Sequence, residues 1–341
     1  MHATASSIIT RKEYVHHHAA HCESGAVSSL LRHYGLDISE AMVFGISSAL
    51  LFAHFPFVKV EGFPMTAYRA MPGAIVKSVS KALGVKMCRE RFRDPHAGMA
   101  RLDALLEEGQ VVGMQASVYW LPYFPPNMRF HFNAHNMVVY GKQGDDYLIS
   151  DPVAEYPVTC PAADLRKARF TKGLFAPKGL LYYPVAMPVH IDLKRAVARA
   201  IKKTSFVMLS TPLPYIGVRA IRYLAGRIRR LHEMASDPAY RLLYVGNIVR
   251  MQEEIGTGGG GFRFIYASFL QEAARQWAEP RLQEASELMT RAGDGWREFA
   301  LLGARFCKRR SEVTLDQLAD AMLVCAAHEH DAFCLLRAIR L

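Results

Sequence analysis

From residue 191 to the C-terminus this chain carries helical periodicity almost without a break, and before residue 187 it does not. That change limits the fold more than any other feature. Apolar residues recurring every three to four positions call for a helix with one buried stripe. Seven such segments follow one another, over residues 193–203, 215–234, 239–254, 262–277, 280–291, 296–307 and 314–339. The stretch Pro184-Val185-Ala186-Met187-Pro188 precedes them and marks a domain boundary at 187/188. A length of 341 residues fits two domains.

Residues 1–187 alternate between patterns. Helices are expected over 23–34, with Gly35 as C-cap, over 73–83, and over 99–108, closed by Gly109. Strands are expected over 110–119, 136–140 and 147–150, the last two joined by a turn at 142–146 that takes up Asp145 and Asp146. Leading helices followed by irregularly spaced strands describe an α+β domain rather than repeated βαβ units. The expected architecture is α+β with an antiparallel sheet over 1–187, followed by an all-α domain over 188–341.

A hydrophobic fraction of 51% with 21% charged residues excludes a disordered chain. The longest apolar stretches, 43–60 and 206–221, are broken by His54, Pro56 and Lys59 and by Pro212 and Pro214, and neither reaches a membrane span. No secretory signal opens the chain. Six scattered cysteines without a C-x-x-C pair argue against a zinc ribbon or a disulfide framework and fit a reducing compartment, so a soluble, cytoplasmic protein is expected. His16, His17, His18 and His21 crowd together, but only Cys22 lies near them at ligand spacing, and no metal site is expected.

The net charge of +11 is concentrated. Ten Lys and Arg residues face one acid, Asp192, between residues 192 and 232. Such a face suits an anionic partner or is simply a solvated helix surface. No aromatic–basic interleaving accompanies it, so nucleic acid is not expected.

The chemistry centres on Cys22, directly before the first helix. Backbone N–H groups and the positive end of a helix dipole stabilise a thiolate there and lower the pKa of the sulfur. His135 opens an apolar strand and can act as base and proton donor. Asp151 ends the next strand and can orient the imidazole. The ordinary alternative is a buried structural cysteine and a core histidine. His131, four residues before His135, is a second candidate base, because residues four apart on a strand share a face. Tyr119, Trp120 and Tyr123 read as core or cleft wall; the sharper reading is an acyl-chain contact, with Tyr119, Tyr123 and His131 as substrate-binding candidates. Residues 256–261 read as a linker or tight turn; the sharper reading is a phosphate-holding loop, with Gly258, Gly259 and nearby Arg263 as contacts.

Residues 21–35, Tyr119-Trp120-Leu121-Pro122-Tyr123, His131-Phe132-Asn133-Ala134-His135 and Asp151-Pro152 resemble the N-terminal domain of the butirosin biosynthesis protein H family. Residues 255–270, with their glycine run, resemble the helical domain of unknown function that follows it. The resemblance implies a papain-like acyltransferase, distantly similar to cysteine peptidases that trim double-glycine leaders. It implies transfer of an acyl group from a carrier-protein thioester to an amine in specialised-metabolite biosynthesis, with Cys22 as nucleophile, His135 as base and Asp151 as orienting acid. No bound cofactor is implied, since the carrier supplies the phosphopantetheine arm. An acidic acyl carrier protein would suit the basic stretch, with Arg227, Arg229 and Arg230 as docking candidates. One departure stands out: those peptidases carry a glutamine six residues before the cysteine as an oxyanion donor, and here that place holds His16. His16, His21 and the Cys22 N–H are the candidate replacements. A thiol amidase or peptidase and a non-catalytic binding module are the competing readings, and a homodimer would fit the many apolar stripes of the second domain.

Overall fold

The computed structural model describes residues 13–253, 258–308 and 312–341. The chain enters through α1 (Cys22–His33) and α2 (Glu40–Ile46) and then forms the hairpin β1 (Leu50–Val60) and β2 (Phe63–Arg69). It continues through α3 (Ala74–Leu83), β3 (Lys86–Glu90), α4 (Pro95–Glu107), β4 (Val112–Ala116), β5 (His135–Gln143), β6 (Asp146–Ser150), β7 (Val158–Pro161), α5 (Ala162–Phe170) and β8 (Leu181–Ala186). Helices follow: α6 (Leu193–Ser210), α7 (Val218–Arg229), α8 (Leu231–Met234), α9 (Pro238–Glu253), α10 (Arg263–Trp277), α11 (Pro280–Lys308) and α12 (Leu315–Ala338). No helix among the described residues is long and apolar enough to cross a membrane.

Two compact units result. The first joins the residues up to Val43 to Pro72–Asp192; the second joins Phe44–Met71 to Leu193–Leu341. The first unit is α+β. Its six-stranded sheet has the order β3-β8-β4-β5-β6-β7, and every neighbouring pair is antiparallel. Leu102 and Leu105 of α4 and Leu165 and Ala168 of α5 pack with Met114, Met137, Val139 and Ile149 of the sheet in one apolar core.

Helix α1 departs from the amphipathic expectation: all ten residues from Cys22 to Leu31 are buried. Its small residues allow close approach on every side, and its serines are satisfied within the fold. Ser28 Oγ donates to the Ile38 carbonyl at 2.7 Å, and Ser29 Oγ lies 2.6 Å from the Tyr14 hydroxyl. A polar side chain with a partner can be buried at little cost.

The described residues after β8 are helical, as expected, and the second unit adds to them an earlier segment, Phe44–Met71. The apolar stretch 43–60 supplies β1, and the hairpin belongs with the helices from Leu193 onward because its large side chains are shared with them. Phe52 stacks on Trp296 at 5.6 Å, Tyr68 meets Trp296 edge-on at 5.4 Å, and the His54 N–H donates to the Tyr215 carbonyl at 2.9 Å. The two helices expected over 280–291 and 296–307 are one, α11: Gly293 and Gly295 do not interrupt it, since Phe264 and Cys325 pack closely over them.

Candidate active site

Each residue of the run His21-Cys22-Glu23-Ser24-Gly25 has a separate structural task. His21 is the N-cap of α1, and its Nδ1 accepts the Ser24 N–H at 3.3 Å. Glu40, at the start of α2, accepts the Ala20 N–H at 2.9 Å, the His21 N–H at 2.7 Å and the Ser24 hydroxyl at 3.0 Å. One carboxylate thus clamps the chain entering α1. Burial pushes its pKa up, against the pull of these three donors. Glu23, fully buried, accepts the Ile75 and Val76 N–H groups at 3.0 and 3.4 Å. These are orphan donors at the start of α3, whose N-cap, Gly73, has no side chain to offer.

Gly25 sets the remaining contact. A Cβ there would stand 2.6 Å from Ala19 Cβ and 2.7 Å from Pro152 Cβ. The Ala19 N–H also donates to the Pro152 carbonyl at 2.6 Å. The start of α1 is therefore seated against the residue that follows Asp151.

His135 begins β5 opposite Ala116 of β4, and β5 pairs with β6 so that Val138 lies opposite Ser150. Asp151 directly follows β6, so histidine and aspartate meet at one end of the hairpin. His135 Nε2 lies 2.6 Å from Asp151 Oδ2. Asp151 is completely buried; Oδ2 also accepts the Tyr123 hydroxyl at 2.7 Å, and Oδ1 accepts the Val153 N–H at 3.1 Å. The Cys22 thiol is hydrogen-bonded to the His135 ring. Although Cys22 is only 3% exposed, its sulfur thus faces an imidazole rather than purely apolar packing.

The electrostatics follow from this contact set. Burial alone would lower the pKa of His135. The charge and hydrogen bond of Asp151 and then the pairing with Cys22 outweigh it, and the pKa rises to about 10. The imidazolium is the favoured form at neutral pH, so a proton is stored beside the sulfur.

Several sequence-based site residues fall elsewhere. His16 is not an oxyanion donor: Nδ1 lies 2.7 Å from Ser150 Oγ and Nε2 lies 3.1 Å from the Ala154 carbonyl, which engages both ring nitrogens. His21 caps its own helix. His131 is not on a strand; it is exposed and stacks on Tyr119 at 4.1 Å. Tyr119 and Trp120 lie half-exposed on a short turn, beside a surface depression of about 400 Å³ that Pro122, Pro126, Arg129 and Asp164 complete. Tyr123 does not wall that depression but turns its hydroxyl to Asp151.

The glycine loop is a packed turn. Gly256 and Thr257 lie outside the described residues. Gly258 to Gly261 all have positive φ, the region that favours glycine, and Phe262 continues it as a non-glycine residue. A Cβ at Gly260 or Gly261 would meet Phe264 at 2.8 Å or Tyr68 at 2.5 Å, and the Gly260 N–H donates to Glu253. A carboxylate in that place opposes phosphate, so Gly258 and Gly259 lose that role. Arg263 is fully buried and forks onto Glu329, with Nε to Oε1 at 2.8 Å and Nη2 to Oε2 at 2.9 Å.

The docking candidates divide. Arg227 lies over the Tyr223 ring and is half-buried, and Arg229 is paired with Asp316 and Asp320; both are spoken for. Arg230 is exposed, as are Arg199, Lys202 and Lys203 on α6 and Arg219 and Arg222 on α7. Among the described residues no three His, Cys, Asp or Glu side chains gather as a metal site.

Sequence reasoning missed Glu40 and Glu23; Tyr123 packs on the core as read, but the bond of its hydroxyl to Asp151 was missed. Glu23, beside a helix-start cysteine, looks like ordinary dipole compensation, and nothing local links Glu40 or Tyr123 to their partners.

A cysteine at the head of a buried helix, a histidine that opens β5 and an acid that directly follows β6 thus stand together beside one antiparallel sheet. Residues 21–152 match the family model described as Butirosin biosynthesis protein H, N-terminal. A solved structure from Bacillus anthracis, described as a C39-like peptidase, is 12% identical with a TM-score of 0.34, covering 52% of this chain and 94% of that one. Comparison with curated proteins returns no match. Residues 163–336 match the model described as Domain of unknown function (DUF4872). The chain belongs to this DUF4872 family and carries a butirosin biosynthesis protein H N-terminal domain ahead of the helical one.

Proposed function

We propose that the protein is a thiol acyltransferase, moving an acyl group from a carrier-protein thioester to an amine through an acyl-Cys22 intermediate. The observation that carries this reading is the Cys22–His135–Asp151 chain, with the 2.6 Å contact of His135 Nε2 to Asp151 Oδ2 at its centre. In the first half, the Cys22 sulfur attacks the thioester carbonyl. The C–S bond to the pantetheine arm breaks, and His135 gives its proton to the departing thiolate. In the second half, His135 takes a proton from the attacking amine. The amide C–N bond forms as the bond to Cys22 breaks, and the sulfur leaves with the ionic pair restored. The Cys22 N–H, at the first helical position, has no acceptor one turn back and can support the oxyanion. The first half is a thioester exchange and the second an aminolysis, so the cycle balances without a nucleotide. The exposed cations of α6 and α7 suit an acidic carrier.

Intact-mass measurement with an acyl thioester tests the reading. The expected result is an adduct that is lost in Cys22→Ala, kept in Cys88→Ala, and discharged to an amide by added amine. Discharge only to free acid would replace the reading with a hydrolase. No adduct under any condition would leave a binding module.

A further inference from the structure

Asp151 has three donors around it, and only one of them belongs to the proposed reaction. His135 Nε2 and the Tyr123 hydroxyl sit 2.6 and 2.7 Å from the same oxygen, Oδ2, while Oδ1 takes the Val153 N–H. A carboxylate oxygen has room for two donors, and bonds to an ionised acceptor are the strong ones. The Tyr123 hydroxyl has one proton and two acceptors in reach. The second, Met137 Sδ at 3.3 Å, is a weak one, so the hydroxyl donates to Asp151 Oδ2. Burial first, and then the charge of Asp151, hold the Tyr123 pKa well above its ordinary value, so the phenol stays a donor throughout the working range.

Tyr123 is also held where it is. Arg129 donates to the carbonyls on either side of it, Nε to Phe124 at 2.7 Å and Nη2 to Pro122 at 2.5 Å. Phe124 meets the His135 ring edge-on, with centroids 5.6 Å apart at 83°. Two successive side chains of one braced turn therefore touch the two members of the proton-holding pair.

We propose that Tyr123 is a positioning residue of this site: by sharing Asp151 Oδ2 with His135 it fixes the carboxylate and limits how strongly that carboxylate draws the imidazole proton. The proposal rests on the Cys22–His135–Asp151 reading given above. With the phenol present, the negative charge of Oδ2 is divided between two donors. Without it, His135 receives the whole interaction, holds its proton more tightly, and releases it less readily to the leaving thiolate.

The measurement is the ring N–H proton resonance of His135 followed against pH, assigned by its loss in His135→Gln. In Tyr123→Phe the resonance should move downfield and its titration midpoint should rise by about one pH unit, the size of one charge-assisted hydrogen bond redistributed. Protein carrying 3,5-difluorotyrosine at position 123, a stronger donor of the same shape, should shift the midpoint the other way, and it serves if Tyr123→Phe does not fold. An unmoved midpoint in both proteins, or a fall in Tyr123→Phe, overturns the proposal. The titration needs no acyl substrate. A protein that shows the shifts yet forms no acyl-Cys22 adduct retains the role of Tyr123 and loses the transferase; an adduct with unmoved midpoints does the reverse.

Discussion

Gly25 lies against Pro152 so closely that a Cβ on the glycine would stand 2.7 Å from the proline Cβ. This contact joins the helix that carries Cys22 to the turn that carries Asp151. In Gly25→Ala the overlap with Pro152 and Ala19 must be relieved by separating the two, at about 1–3 kcal/mol of stability. The expected outcome is a folded protein with a lowered denaturation midpoint and a rate of acyl-Cys22 formation reduced more than tenfold, read by urea titration and by mass spectrometry on the same samples.

Asp151→Asn removes the charge that raises His135. Without it, burial dominates, and the imidazole no longer holds a proton at neutral pH. Acylation at pH 7.5 should fall by about 10²–10⁴-fold, the range of a general acid–base group put out of action. Because the folded pKa of His135 lies above its unfolded value, its contribution to stability is complete below about pH 6.5 and fades as pH rises toward about 10. Wild type should therefore lose stability across that window, and His135→Gln should show a flatter dependence.

His54 gives the opposite sign in the second unit. It is fully buried, with Nδ1 2.9 Å from Thr66 Oγ1, and burial first and Arg227 second lower its pKa to about 4. The unfolded chain takes up the proton near pH 6.5 and the folded one does not, so stability present above that pH is lost as pH falls toward 4. Urea midpoints followed by tryptophan emission should drop between pH 7 and pH 4.5, and His54→Gln should reduce the slope. An unchanged slope would remove His54 as its source.

Arg263 and Glu329 are both completely buried, and Glu329 also accepts the Trp296 indole N–H at 2.7 Å. Removing one charge strands the other, at about 3–5 kcal/mol. Arg263→Met and Glu329→Gln should each destabilise by that order, while the double variant Arg263→Met/Glu329→Leu should regain part of the loss. Equilibrium denaturation of the three proteins decides it.

Charge reversal at Arg199, Lys202, Arg219 and Arg222 should raise the KM for an acidic carrier-protein donor while leaving a small soluble thioester unaffected. Reversal at Arg229, already paired with Asp316 and Asp320, should change stability more than KM. Steady-state kinetics with both donors separates the two effects, and an equal KM for the carrier in all variants would exclude these helices as its dock.

The sequence made the helical half legible because the 3.6-residue period of an amphipathic helix is a local signal: α9, α10 and α12 lie close to where it put them, and α6 starts there but runs on to Ser210. Cys22, His135 and Asp151 were legible for a similar reason: each sits at an element boundary that glycine, polar residues and apolar runs mark within a few positions. The hairpin β1–β2 was not, because its run 43–60 is apolar on both faces and lacks the alternation of a half-buried strand. The partners of Arg263, Arg227 and the Tyr123 hydroxyl were missed for one cause. A side chain's chemistry can be read from its name, but its partner, which lies 66 residues away for Arg263 and 28 for Tyr123, cannot.

The order of residues alone determined that this chain has a mixed first part and a helical second part, and that a cysteine heads a helix while a histidine and an aspartate bound two neighbouring strands. Only the folded chain decided that these three side chains meet, that Glu40 and Glu23 hold the loop and helix that present the sulfur, that a tyrosine shares the aspartate, and that residues 44–71 leave the first unit for the second. The physical reason is range. Periodicity, caps and turns act over a few residues, whereas hydrogen bonds to a buried carboxylate and the fit of a glycine against a proline exist only once distant segments have been packed together.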